Sequence, residues 1–207
     1  MRTTSNQKYE ITEISHEKYP FLHRIRALRD VSAEVRAGDL GGFVESESNL
    51  SFEPDDTAWI FDDAIACNDA YVDKGAVLRG EVVVCDNAYI SMGAVLSGHA
   101  RVEDNAYVRG AVLNASARAS GFSMILNDKD TMGVPILSGH CAVYGKVSGD
   151  VRLTGSALVI SGEEIRNDTL DTLVISGKNR SVIRDSSRDE LASQQPAPSP
   201  PQETERL

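Results

Sequence analysis

Cysteine and histidine are scarce, with three and four copies in 207 residues, and no CxxC pair occurs. That excludes a disulfide framework and leaves no paired ligands of the kind a structural metal centre needs, so no metal site is expected. Cys67 and Cys85 stand eighteen residues apart and Cys141 has no partner in frame, which reads as free thiols repeated with the chain. No stretch approaches the roughly 20 apolar residues of a membrane span, and the opening MRTTSNQKYEIT has no apolar core of the signal-peptide type. The expected location is therefore the cytoplasm, with no membrane contact. Positive charge is also short, at 21 Lys and Arg against 31 Asp and Glu, a net of −10. Binding to a phosphate backbone needs clustered cations, so a nucleic-acid partner is not expected. A P-loop, a dinucleotide fingerprint and a nucleophile elbow are missing as well, which removes those chemistries.

What the sequence has is repetition. CNDAYVDKGAVL begins at Cys67, CDNAYISMGAVL at Cys85 and EDNAYVRGAVL at Glu103. Within that period every sixth residue is apolar, from Ile60 and Ala66 through Val72, Leu78, Val84, Ile90, Leu96 and Val102 to Val108. A small residue lies two places before each: Ala64, Ala70, Ala76, Val82, Ala88, Ala94, Ala100 and Ala106. Small, variable, apolar is the period of two of a strand, and the Asp, Asn and Gly between strands tolerate the backbone of tight corners. One short strand with one corner buries nothing alone, so the units must stack. Three sixes close a triangular coil, and each eighteen-residue period is one turn of a single-stranded parallel β-helix, all-β, with neighbouring coils about 4.8 Å apart.

The frame then loses one residue near Arg109 and continues inward at Ala117, Ala119, Ser123 and Ile125. Keeping it through LNDKDTMGVPIL would bury Lys129, which is too costly unpaired, so residues near 127–133 are expected as an extruded loop. Residues 1–50 lack the repeat and read as an N-terminal β cap of two or three strands over the raw edge of the helix. The helix spans 51–160, 161–185 is an irregular last coil or C-terminal cap, and the polar, Pro-rich 186–207 is expected to be a disordered tail.

The stretch GDLGGFVESESNLS, Gly38 to Ser51, followed by sixes of the form x-D-N-A-x-V, resembles bacterial and phage-encoded hexapeptide-repeat proteins of the YdcK type, described as putative transferases. The resemblance covers roughly residues 8 to 160. It implies a left-handed coil, a cap at the N-terminus and, from the wider superfamily, homotrimers. It does not bring an established activity.

Two functions from different classes follow. The first is a noncatalytic scaffold or binding module, homo-oligomeric or bound to a protein partner, needing no cofactor. Its surface would be the outward ladders Tyr71, Tyr89, Tyr107 and Val77, Val95, Val112, apolar columns that a lone soluble prism would usually avoid. The bland reading is that stacked Tyr and Val only support neighbouring strands. The second is an acyltransferase of the superfamily type using acyl-CoA, with a corner histidine as general base. His140, which follows the loop in sequence, is the stronger candidate and His99 the weaker; both also read as plain exposed corner residues. The acidic corners around Asp62, Asp86 and Asp104 could mimic duplex phosphates, though turn geometry alone demands such residues.

Overall fold

Eighteen-residue spacing brings equivalent residues of successive coils into direct register. In a computed structural model, which describes residues 6–185, Tyr71 pairs with Tyr89 and Tyr89 with Tyr107, while Val77, Val95 and Val112 pair in the same way. The described residues form an all-β solenoid of about seven coils, with no α-helix among them. Its three parallel walls are named here by their outward residues. The valine face holds Trp59–Ile60, Val77–Leu78, Val95–Leu96, Val112–Leu113 and Ile136–Leu137. The arginine face holds Ile65–Ala66, Val83–Val84, Arg101–Val102 and Arg118–Ala119. The tyrosine face holds Tyr71–Val72, Tyr89–Ser91, Tyr107–Arg109 and Met124–Leu126.

Inside, the branched residues form columns. Leu78, Leu96, Leu113, Leu137 and Leu153 line the valine wall and Val72, Ile90, Val108, Ile125 and Val147 the tyrosine wall, all fully buried. The residues two places before them are buried too, mostly alanine, with Ser123, Pro135, Gly145 and Val151 in the later coils, because space is limited where two walls meet. Burying each branched side chain contributes about 1.5–3 kcal/mol, so the columns, not the corners, hold the stack together.

The corners explain the acidic composition. Asp62, Asn68, Asp86 and Asp104 all adopt positive φ, and each side chain accepts a hydrogen bond from a corner N–H of the next coil. Asp62 receives Gly80 N at 2.9 Å, Asp86 receives Asp104 N at 3.1 Å and Asp104 receives Gly121 N at 2.8 Å. These carboxylates are thus engaged along the stack and serve the turn.

The missing residue falls in the corner after Val108, where Gly110 alone turns the chain at φ +53° and Asn127 packs against it from the next coil. One coil later, residues 127–135 join Met124–Leu126 to Ile136–Leu137. Asp128 organises that longer connection by accepting from the N–H groups of Asp130 and Thr131.

The two ends differ from the stack. β2 (His23–Ala27) pairs antiparallel with both β1 (Tyr9–Ser15) and β3 (Leu40–Val44), and β3 then pairs parallel with Ile65–Ala66, extending the arginine face. Gly41 and Gly42 press against the first coil so closely that a Cβ would meet backbone oxygen of Ile60 or Ala64 inside 3 Å. At the far end Thr172–Ser176 closes the valine face and turns back as an antiparallel hairpin with Asn179–Ile183. Arg180 reaches Glu163 at 3.1 Å beside that hairpin. The tail expected at 186–207 lies outside the described residues.

Candidate functional site: a groove under the N-terminal hairpin

The connection between β1 and β2 does not stay in the sheet plane. Leu22 is buried against Phe43 and Ile65, a small apolar cluster on the outer side of the arginine face, with Val83 packed at its edge. Anchored there, the hairpin tip arches over the face and leaves a groove of about 660 Å³. Its floor is Ile65 and Val83, one wall is Ile14 to Tyr19, and the other is the corner column Asp63, Glu81 and His99, with Arg101 at the far end. Two other cavities, beside Asp56 and Lys74 and beside Met132 and Arg152, are smaller, at about 400 and 270 Å³.

The tip is held by its own contacts. His16 Nδ1 accepts the N–H groups of Lys18 and Tyr19 at 3.1 and 3.3 Å, which leaves Nε2 as the donating nitrogen of the neutral ring. The imidazole stacks on Tyr19 at 5.2 Å and meets the edge of Phe43 at 4.8 Å. Arg24 lies over the Phe43 ring at 4.2 Å and donates to Gly41 O, Asp62 O and the Asp63 carboxylate. Its charge is therefore matched, and the hairpin is fastened to the first corner of the stack.

Glu81 and His99 occupy the same corner position one coil apart, and Nδ1 of His99 lies 3.4 Å from the Glu81 carboxylate. Both side chains stand exposed at the mouth of the groove. His140 sits on the same corner column two coils further on, exposed, with its N–H bonded to Gly155 O. It is not beside the 127–135 connection: that segment leaves the tyrosine–valine corner, and the strand Ile136–Leu137 separates it from His140. Proximity in sequence misleads here because each strand carries the chain to the next corner.

The outward ladders behave differently from each other. Tyr71, Tyr89 and Tyr107 stack ring on ring, at 5.9 and 5.1 Å between centroids. Tyr89 Oη donates to Asp73 at 2.9 Å, and Ser91 Oγ donates to that hydroxyl at 3.3 Å, so much of the ladder's polar capacity is used internally. Burial in this network raises the Tyr89 hydroxyl above its ordinary pKa. Val77, Val95 and Val112 make no such contacts, and register adds Ile136 to their column.

All three cysteines are free. Burial, reinforced by neighbouring carboxylates, pushes the Cys67 thiol up to about 11 and Cys85 to about 12, and burial pushes Cys141 to about 11, so none is poised as a nucleophile. Among the described residues no three His, Cys, Asp or Glu side chains are placed to hold a metal ion. No helix among them is long and apolar enough to cross a membrane.

The residues that sequence reasoning did not bring together in one site are His16, Arg24, Phe43, Asp63 and Glu81. Asp63, Glu81 and His99 recur at eighteen-residue spacing and could have been read as one column. The hairpin could not, since nothing in the repeat says which outer wall an unrelated segment covers. The sequence matches no protein-family model, and a search of curated proteins finds no match to it.

Proposed function

We propose that the chain is a noncatalytic binding module that takes a small ligand in the groove beneath the hairpin tip. The observation that carries this reading is the groove itself. A concave space of about 660 Å³, with an apolar floor on a rigid β wall and polar groups at its rim, is the form that ligand sites take. Stacked strands fix Ile65, Val83 and Arg101 in place, so the site is preorganised. The tyrosine ladder, satisfied by its own contacts, is packing in this reading. The valine column is where copies of the chain would associate, as a trimer or another closed oligomer. We place the protein in the cytoplasm, where its three free thiols would stay reduced. The test is a methyl-detected NMR screen against a small-ligand library. Shifts gathered at Ile65 and Val83 support the reading, and hits that map only to the tyrosine face would sink it.

One observation favours a second reading. A carboxylate 3.4 Å from Nδ1 of His99, at the mouth of the groove, is the arrangement that makes a histidine a general base. An acyl transfer from acyl-CoA would use His99 Nε2 to deprotonate the acceptor, with His140 too far along the corner to assist. Calorimetric titration with acetyl-CoA, repeated on His99→Ala, decides this: turnover lost with binding retained establishes the base, and no heat at millimolar cofactor removes the reading.

A further inference from the structure

The groove is lined by three carboxylates, Glu17, Asp63 and Glu81, and three fixed cations, Lys18, Arg24 and Arg101, but they are not all paired. Asp63 is matched by Arg24, Glu81 lies against His99, and Arg118 reaches Glu103 at 3.8 Å. Arg101 has no carboxylate within ion-pair distance among the described residues. It stands in register between Val83 and Arg118, so two guanidinium-bearing residues occupy adjacent strands about 4.8 Å apart. Like charges in that position repel, and in a chain of net charge −10 an unmatched arginine at the end of an apolar floor is out of keeping with its surroundings. On the other side of the floor the hairpin exposes Ile14 and Tyr19, at 44% and 46%, toward the same space.

We propose that the groove is a site for an amphipathic carboxylate, a small acid whose apolar body lies on Ile65 and Val83 and whose carboxylate is held by Arg101. The inference rests on the groove being the binding site. Guanidinium presents paired N–H donors that match a carboxylate, and its positive charge would be offset by the ligand in place of the repulsion from Arg118. A bare anion is not the best ligand, because Ile14, Tyr19 and Val83, which keep exposed surface over the buried Ile65, gain only from a body that removes them from water.

The test uses octanoate, octylammonium and butanoate, which separate head charge from tail length, with NMR titration of the full chain and of Arg101→Gln. That variant changes an exposed side chain and leaves the fold intact, which circular dichroism checks. Octanoate should shift the methyl signals of Ile65 and Val83, butanoate should bind more weakly, and Arg101→Gln should weaken octanoate about tenfold. Octylammonium binding as tightly as octanoate, or octanoate indifferent to Arg101→Gln, overturns the carboxylate assignment while the groove stands. No shift in Ile65 or Val83 with any of the three overturns the assignment, and a simultaneous blank in the wider library would overturn the groove as well.

Discussion

At the scale of single residues, the corners hold one substitution that the fold itself invites. Gly80, Gly98, Gly139 and Gly155 occupy one column of corner positions at positive φ, and Ala115 sits among them at +54°. A Cβ in that region costs about 1–2 kcal/mol, so Ala115→Gly should stabilise the protein by about 1 kcal/mol, read as a higher urea midpoint at unchanged slope. Lys8 provides a second case. It is fully buried with Nζ donating to Ser51 O at 2.8 Å, and burial, the dominant effect, brings its ammonium down to about 8 despite the attraction of Asp56. Below pH 8 both folded and unfolded chains hold that proton and the cost of burying the charge is fully felt. Between about 8 and the unfolded value near 10.4 only the unfolded chain holds it, so stability climbs with pH. The raised thiols act in the opposite sense above pH 9, since the unfolded cysteines ionise first. Comparing wild type with Lys8→Met cancels the thiols. From pH 7 to 9 the wild type should gain about 1 kcal/mol relative to the variant, and parallel pH profiles would show that Lys8 keeps its proton in the fold throughout that range.

At the scale of elements, the question is what each outward ladder is for. The tyrosine column spends its rings on each other and the Tyr89 hydroxyl on Asp73, whose second carboxylate oxygen is buried without a partner. Tyr89→Phe keeps the stack but strips Asp73 of that donor, and should cost about 1–3 kcal/mol in chemical denaturation while leaving any ligand affinity of the groove unchanged. A loss of affinity with no loss of stability would return the tyrosine face to a binding role. The same contrast shows what could be read without coordinates. Strand positions, inward columns and the corner that loses a residue at Gly110 were legible because one side chain per coil repeats at a fixed interval. Leu22 docking on Phe43 and Ile65 was not, since it is a long-range contact between a segment outside the repeat and an outer wall that periodicity treats as solvent. His140 was misplaced relative to the 127–135 connection for a related reason: sequence distance counts residues, whereas a coil counts corners.

At the scale of the whole molecule, the walls divide the work. The cap and hairpin occupy the upper arginine face, and Trp59 at the top of the valine face is buried, within the same core cluster as Val31 and Val35. Below Trp59, Val77, Val95, Val112 and Ile136 continue the valine column over about 14 Å, only partly covered, before Arg152 ends it. Val95, at 36% exposure, is the most open of the three valines. A flat, regular, apolar strip on a rigid wall suits a self-complementary contact, because the same column on a second copy can meet it without rearrangement. We therefore expect purified protein to sediment and scatter light as an oligomer, and Val95→Asp to shift it to the monomer mass with its β-sheet spectrum intact. The aspartate would place a carboxylate at the centre of the contact and face its own copy there, while on a free monomer it would simply be hydrated. Groove and strip lie on different faces, so octanoate affinity should survive Val95→Asp. Wild type already running as a monomer would instead assign the valines to same-face strand packing, with the groove still the proposed ligand site.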